Sequence, residues 1–394
     1  MRPGALVAAA IAVLDEIGGG VPAEKALTGW ARRSRFAGSG DRAAVRDHVY
    51  QVLRCRRSCA CLGGGEDGRA LMIGLLRAAG EDPQAFFTGQ GHAPPPLSAA
   101  EHDAGAPPVT DGDRMDLPDW LIEPFRASLG KDAQAQAEAL RGRAPVMLRV
   151  NLRRGNTRHA RTALAEEGIL TDAHPVAETA LKVTSGARRL ANSRAFREGL
   201  VELQDGSGQA AMEIVGVPSG ARVLDYCAGG GGKTLALGAR LDADFFAHDA
   251  NPRRLTDIPA RAARAGLNVK VLAQHELSAH GPYDAVICDV PCSGSGTWRR
   301  TPEAKWRLSA EGLARLLVTQ DDILDAAWRL LAPGGVLVYA TCSLLEDENE
   351  ARVGAFLQRT PGTRRVLQRR WPVSDGGDGF FVALVQDDST VTQP

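Results

Sequence analysis

The chain is predicted to be α/β, with a doubly wound parallel sheet in its C-terminal half behind a small α+β module and an all-helical N-terminal region. Three observations carry this. From residue 206 onward, short apolar strands alternate with helical stretches, which implies a parallel sheet covered by helices on both faces. Residues 1–87 instead repeat their apolar positions at helical spacing, and residues 116–205 mix the two patterns. The 394 residues, 44% hydrophobic and 24% charged, have ordinary globular composition and a length that suggests two or three domains. No apolar run approaches the roughly 20 residues that span a bilayer.

The elements follow in order. The stretch 5–14 after Arg2 faintly imitates a secretory signal, but Asp15 and Glu16 end it. Leu6, Ala10, Val13, Leu14 and Ile17 fall on one helical face, so an amphipathic helix of the mature protein is expected. Val45, Val49, Val52 and Leu53 continue the helical spacing. Residues 88–115, with Pro94-Pro95-Pro96 and Pro107-Pro108, read as a linker or long surface loop that need not be ordered. The module at 116–205 is read with strands at 147–152, 180–184 and 200–203 and a helix over 157–167 closed by Gly168. In the region 206–394, strands are expected at 222–225, 244–248, 268–272, 285–288 and 336–339. Leu313, Leu316, Leu317, Leu324, Ala327, Trp328 and Leu331 form a helical stripe stopped at Pro333-Gly334-Gly335.

Charge and cysteine usage narrow the function. The 47 basic residues cancel the 47 acidic ones, which argues against a wholly electrostatic nucleic-acid binder, whose domains usually exceed about pI 9. Local patches stay open at Arg32-Arg33-Ser34-Arg35, Arg153-Arg154, Arg188-Arg189 and Arg299-Arg300, although a solvated surface is the plainer reading of any one cluster. Seven cysteines are too few for a disulfide scaffold and fit reduced thiols in a cytoplasm. Cys55, Cys59 and Cys61 match no zinc spacing, and no metal is expected.

The turn after the first strand of the last region reads Asp225-Tyr226-Cys227-Ala228-Gly229-Gly230-Gly231-Gly232-Lys233-Thr234. A phosphate-cradling loop would need glycine five positions before Gly232, where Cys227 stands. Asp249 lies 20 residues past Gly229, the spacing of an acid that accepts from ribose hydroxyls. Strand, glycine turn and distal acid define a nucleoside pocket, which S-adenosylmethionine or a nicotinamide dinucleotide would fit equally. Four successive glycines are costly to order unless a ligand must come close.

Two thiols decide between chemistries. Asp289-Val290-Pro291-Cys292-Ser293-Gly294 follows one strand and Thr341-Cys342-Ser343 ends another. Ligands of doubly wound sheets sit outside the carboxyl ends of the strands, so adjacency of these two strands puts Cys292 and Cys342 on one rim, with Asp289 between them and the pocket. Hydride transfer has no need of such a pair. Amino-methylating enzymes usually carry Asn/Asp-Pro-Pro-aromatic here, and cysteine replaces the second proline. Carbon 5 of cytosine becomes nucleophilic only after covalent addition at carbon 6, which a thiolate performs. Asp289 is placed to hydrogen-bond the protonated ring nitrogen, and the second thiol, or a water it positions, to take the carbon 5 proton. Cys288, inside a strand, reads as core.

At these residues the chain resembles the Sun-type (RsmB/Nop) RNA cytosine-5 methyltransferases. Val201-Glu202-Leu203-Gln204-Asp205 with Gly208-Gln209, both cysteine motifs, Arg299-Arg300-Thr301-Pro302-Glu303 with Lys305-Trp306, and the acidic run Glu346 to Glu350 with Asn349 are all similar to that family. The resemblance implies a Rossmann-like class I methyltransferase domain over 206–394, an RRM-like RNA-binding module over 116–205 and a NusB-like helical RNA-binding domain over 1–87, whose arginines are expected to position RNA through its phosphates. It implies S-adenosylmethionine as cofactor, held by Cys227, Ala228, Gly229 to Gly232, Lys233, Asp249, Gln274 and Asp289. Cys342 becomes the nucleophile and Cys292 the residue that assists product release; DNA enzymes use the Pro-Cys cysteine instead, so the Thr-Cys-Ser strand end favours RNA. Ribosomal RNA is the expected substrate, in a cytoplasmic monomer with no membrane association and no obligate protein partner. Two departures stand out. Gly229 and Gly230 replace the family's Ala and Pro, which predicts a looser cofactor loop, and Ala273-Gln274-His275 stands where an acid commonly meets the adenine.

Two other classes compete. An RNA-binding assembly factor with an inactive methyltransferase fold is disfavoured by the intact Lys233, Asp289, Cys292 and Cys342. A nucleotide-dependent oxidoreductase would be distinguished by which nucleoside cofactor binds.

Overall fold

A computed structural model describes residues 1–388, in two compact units. The first gathers Met1–Arg126, Gly130–Arg143 and Trp298–Arg307 and is helical. Its helices Pro3–Gly18, Ala23–Arg33, Ser39–Arg54, Arg56–Gly63 and Gly68–Ala78 each turn an apolar stripe inward, and Val7, Ala10, Val13, Val45, Val49, Val52, Met72 and Ile73 meet in one core. The proline-rich stretch is pinned to this unit: Arg69 donates to the carbonyls of Pro95 and Pro96 at 3.1 Å, and the Ala106 amide donates to Cys61 O at 2.9 Å. It also carries short helices at Ala99–Asp103 and Asp111–Met115.

The segment Trp298–Arg307, far off in sequence, belongs to the same unit through backbone anchors. Lys305 Nζ donates to Arg54 O at 2.8 Å, Trp306 Nε1 to Leu53 O at 2.7 Å, and the Ala23 amide donates to Glu303 at 3.1 Å. Burial pulls the Lys305 ammonium down to about 8.

The second unit holds Ala127–Leu129, Ala144–Thr297 and the chain from Leu308 on, with two sheets. The smaller contains β1 (Met147–Val150), β2 (Leu170–Ala173), β3 (Ala180–Ser185) and β4 (Val201–Leu203) in the antiparallel order β2-β3-β1-β4. The helices Thr157–Glu166 and Arg194–Arg197 complete a β-α-β-β-α-β module, the expected RRM-like arrangement. Sequence reading found three of its strands; β2 was missed because only Thr171 of its four residues is buried, too little for an alternating pattern.

The larger sheet contains β5 (Ala221–Asp225), β6 (Ala243–Ala247), β7 (Val269–Val271), β8 (Tyr283–Asp289), β9 (Leu331–Thr341), β10 (Thr363–Trp371) and β11 (Phe380–Asp387). Their order is β10-β11-β9-β8-β5-β6-β7, parallel except where β11 pairs with β9 and β10. The chain winds outward from β5 to β7, then returns to β8 on the other side of β5. That reversal opens a crevice at the carboxyl ends of β5 and β8, where ligands of such sheets bind.

Two expectations are corrected here. The long helix runs Ala310–Trp328, and Leu331 opens β9 instead of closing the helical stripe. Pro333-Gly334-Gly335 lies within β9, where the register slips between Tyr283↔Leu331 and Ala285↔Val336 and Gly334 takes φ +76°. The C-terminal hairpin β10–β11 was not anticipated. β10 is an edge strand carrying Arg364, Arg365, Arg369 and Arg370, charges that protect an exposed edge and erase strand-like apolar alternation.

Candidate active site

β5 runs into the glycine turn at Asp225, which is buried. Its Oδ2 accepts from the Thr234 amide at 3.2 Å and the Thr234 hydroxyl at 2.7 Å, while Oδ1 has no hydrogen-bond partner. Burial pushes the carboxyl up to about 6. Asp249, at the end of β6, holds the turn: Gly229 N donates to it at 3.0 Å, Asn251 N at 2.9 Å, and Arg254 pairs with it at 3.1 Å.

The loss of the family's Ala and Pro has a local counterpart. A Cβ at Gly229, where φ is +52°, would lie 2.9 Å from Arg254 Nη2, and one at Gly230 would lie 2.8 Å from Arg261 Nη1. Arg261 donates to the Gly230 carbonyl. Two guanidinium groups thus brace the loop in the space that side chains would fill. The expected looseness is countered by these contacts.

Beside the turn, His248, Asp249, Pro252, Leu255, Leu272 and Gln274 line a cavity of about 620 Å³. Gln274 lies close enough to Tyr226 to act on its hydroxyl electrostatically, at the pocket wall. An apolar cavity, an acid with a spare lone pair at Asp249, and an unsatisfied buried carboxylate oxygen on Asp225 fit a nucleoside that carries a cationic amino-acid tail.

The thiol rim stands beside it. β8 and β9 are parallel neighbours with Asp289 opposite Ala340, which aligns the two segments that follow them. Val290 N donates to Ala340 O at 3.0 Å and Gly296 N to Cys342 O at 2.9 Å. The sulfur atoms of Cys292 and Cys342 lie 3.4 Å apart, both half-buried. The hydrogen bond to Cys342 pushes the Cys292 thiol well up, and burial and the nearby negative charge of Glu348 add to this. Lys233, from the glycine turn, pairs with Asp289 and lies 5.0 Å from the Phe380 ring centroid. Burial works against the Lys233 ammonium, yet Asp289 and Cys342 outweigh it and the net direction is up.

Glu348 joins the two cysteine segments. This carboxylate, 0% exposed, accepts from Ser293 N at 2.7 Å, Ser343 Oγ at 2.5 Å and Gln320 Nε2 at 3.0 Å, and also from Ser293 Oγ. Gln320 Nε2 reaches Pro291 O at 3.0 Å as well. Asn349 Nδ2 donates to Ser343 O at 2.9 Å. Every donor to Glu348 is neutral.

A family model described as 16S rRNA methyltransferase RsmB/F matches residues 214–386, and one for the RsmF/B-like ferredoxin-like domain matches 117–188. "Ribosomal RNA small subunit methyltransferase B" of Vibrio cholerae is 33% identical over 300 residues, 73% of this chain and 67% of the relative. The chain belongs to the RsmB/F methyltransferase family. The protein of the same name from Salmonella arizonae is 36% identical over 290 residues, covering 70% of this chain and 67% of its own length. Among solved structures, PH0851 superposes with a TM-score of 0.77 at 22% identity, over 98% of this chain and 99% of that one. NSun6 from Pyrococcus horikoshii, solved with SFG, superposes at 0.60 and 18% identity, over 69% and 98%. These likenesses show that the fold is shared.

In this RsmB/F family member the structure brings Cys342, Cys292, Asp289 and Lys233 together; Asp249 and Gln274 line the cavity, and the 227–232 turn is tied to Asp249 through the Gly229 amide. Cys288 is core, as read. Asp249, read from the sequence as a ribose acceptor, fixes the turn's backbone through Gly229 N and Asn251 N. Three residues escaped sequence reading as parts of the site: Asp225, Gln320 and Glu348. In the sequence Asp225 reads as the end of a strand, although a buried acid before a glycine turn is a signal in itself. Glu348 was visible only as one member of an acidic run.

Proposed function

We propose that this S-adenosylmethionine-dependent RNA methyltransferase transfers its methyl group to carbon 5 of a cytosine in ribosomal RNA, with Cys342 as nucleophile. The observation that carries this is the 3.4 Å approach of two thiols beside the Lys233–Asp289 pair, next to a nucleoside-sized cavity. S-adenosylmethionine supplies the electrophilic methyl carbon. Cys342 Sγ attacks carbon 6 as the thiolate, and the carbon 5–carbon 6 electron pair shifts to make carbon 5 nucleophilic. The ring nitrogen takes up the proton that Cys342 gives up, and Asp289 accepts a hydrogen bond from it, which stabilises the adduct. Lys233, paired with Asp289, places a positive charge beside the attacking sulfur.

The order of events at Cys292 follows from what raises its pKa. Before attack, the neighbouring Cys342 sulfur, burial and Glu348 hold the Cys292 thiol protonated. Once Cys342 is bonded to carbon 6, carbon 5 attacks the methyl carbon and S-adenosylhomocysteine leaves. Burial and Glu348 keep Cys292 protonated, so it acts by positioning a water that takes the carbon 5 proton. The electron pair left behind re-forms the carbon 5–carbon 6 double bond as the sulfur–carbon 6 bond breaks and releases Cys342 as thiolate.

The cofactor's amino-acid tail is assigned to Asp225, its ribose to Asp249 and its adenine to the pocket that Gln274 lines, with the backbone of 227–232 closing over it. Ribosomal RNA is favoured by the shared family and by the name of the relatives. Seven free cysteines support a cytoplasmic enzyme, which we read as a monomer. No helix among the described residues is long and apolar enough to cross a membrane. The test is nucleoside analysis and bisulfite sequencing of ribosomal RNA from cells lacking the protein. One 5-methylcytosine should disappear and return when purified enzyme and S-adenosylmethionine are added. Unchanged 5-methylcytosine would refute the substrate reading.

A further inference from the structure

We infer that the hairpin of helices Ala23–Arg33 and Ser39–Arg54 carries a binding surface for single-stranded RNA, in which Phe36 stacks on an unpaired base and Arg32, Arg35 and Arg42 hold the flanking phosphates. The inference deepens the proposed function, since it rests on RNA being the substrate, but its residues lie wholly within the helical unit.

Charge comes first. Arg32, Arg35, Arg42 and Arg46 line one cavity of about 580 Å³ with Trp30 in its wall. Arg46 is paired with Glu24 at 3.1 Å. Arg32, Arg35 and Arg42 have no ion-pair or hydrogen-bond partner among the described residues. Other arginines of this unit are spoken for: Arg57 pairs with Asp113 and Asp119, Arg69 with Glu101, and Arg77 donates to the carbonyls of Leu62 and Ala104. Arg33, grouped with Arg32 and Arg35 on sequence, turns instead to Glu16. Three unpaired guanidinium groups around one cavity repel one another until an anion enters, and guanidinium suits phosphate.

The second observation is independent of charge. Phe36 is 76% exposed, unusual for a large aromatic ring in a unit that buries Trp30. Phe36 and Trp30 both line an adjoining cavity of about 910 Å³, so the apolar and basic surfaces meet at Trp30. An exposed ring beside unpaired arginines is the combination by which proteins hold single strands: bases stack on the ring while cations track the backbone. Bases stacked inside a duplex offer no free face to such a ring. An acidic peptide would use the arginines but leave Phe36 without purpose.

The full-length protein is tested by fluorescence anisotropy with a labelled single-stranded RNA dodecamer, the same strand made abasic at every position, and a polyglutamate competitor. Phe36→Ala should weaken binding of the normal strand about tenfold and leave the abasic strand unchanged, since stacking needs a base. Arg32→Gln/Arg35→Gln/Arg42→Gln should weaken both strands and lower the slope of log affinity against log salt by about 2, as expected for three phosphate contacts on a single strand. Arg33→Gln should change neither. The inference is overturned if Phe36→Ala is silent or weakens both strands equally, if the triple variant keeps its salt slope, or if polyglutamate displaces the dodecamer at matched charge. Phe36 is exposed, so its loss leaves the fold intact; equal melting temperatures check this. Failure of the substrate reading looks different: the wild type would bind the strand and yet form no 5-methylcytosine in RNA.

Discussion

The glycine turn after β5 and the thiol rim after β8 and β9 border the same crevice but are held in different ways. The turn is braced by charged side chains: Arg261 and Asp249 act on its backbone groups, and Arg254 pairs with Asp249. The rim is held by a buried carboxylate that accepts only from neutral donors. Guanidinium braces on a partly open surface are adjustable, which explains how the turn absorbs Gly229 and Gly230 where the family has Ala and Pro. The Glu348 network has no such slack, because each donor left unpaired in a buried site costs about 1–3 kcal/mol. With the turn assigned to the cofactor as proposed, cofactor recognition is the tolerant side of this site and thiol alignment the intolerant side.

Glu348→Ala should break that contrast most severely. It strips the acceptor from Ser293, Ser343 and Gln320, so stability in urea should fall by about 3 kcal/mol or more and methyl transfer should be lost. Glu348→Gln keeps the shape; it should lower kcat while calorimetry shows unchanged affinity for S-adenosylmethionine. A fall in affinity instead would merge the two sides. Asp225→Asn is next. Its carboxyl is raised from an unfolded value near 3.9 to about 6 in the fold, so the folded state holds that proton more tightly. The resulting stabilisation is complete below about pH 4 and is lost as pH rises to about 6; above that, the ionised group costs up to about 3 kcal/mol. The variant should be more stable than the parent at pH 7 without cofactor, equal to it below pH 4, and weaker in cofactor binding.

Smaller effects are expected on the braced side. Asp249→Asn should weaken S-adenosylmethionine about tenfold by calorimetry, the scale of one charge-assisted hydrogen bond, with RNA affinity unchanged. Asp249→Ala should do more than remove a ribose contact, because Gly229 N and Asn251 N also lose their acceptor. Arg261→Gln should cost about threefold in cofactor affinity and leave kcat at saturation intact. A large effect there would mean that the turn is as intolerant as the rim.

Much of this was legible in the residues. Strand–helix alternation announced the parallel sheet, and the two cysteine motifs at strand ends pointed to a shared rim before any pairing was known. That inference needed the two strands to be neighbours, and β8 and β9 are. What escaped was of two kinds. β2 and β10 lack apolar alternation because one is short and mostly exposed and the other is a charged edge. Asp225, Gln320 and Glu348 were hidden because their importance lies in burial and in partners far along the chain. Glu348 reaches Ser293 across 55 residues, and nothing in an acidic run tells which carboxylate turns inward. The arginine cluster 32–35 was legible as basic, but which of its members are free is a matter of where Glu16 lies.

The division of labour between the two thiols is tested most directly by trapping. Cys342→Ala, Cys292→Ala and the double variant are each incubated with ribosomal RNA and S-adenosylmethionine and run on a denaturing gel. In the proposed mechanism addition needs Cys342 and elimination needs Cys292, so Cys292→Ala should show a slow RNA-dependent band carrying the transferred methyl group. Cys342→Ala and the double variant should show none. A trapped band in Cys342→Ala and none in Cys292→Ala would reverse the roles, and retained activity with no band in either would contradict covalent catalysis by this pair.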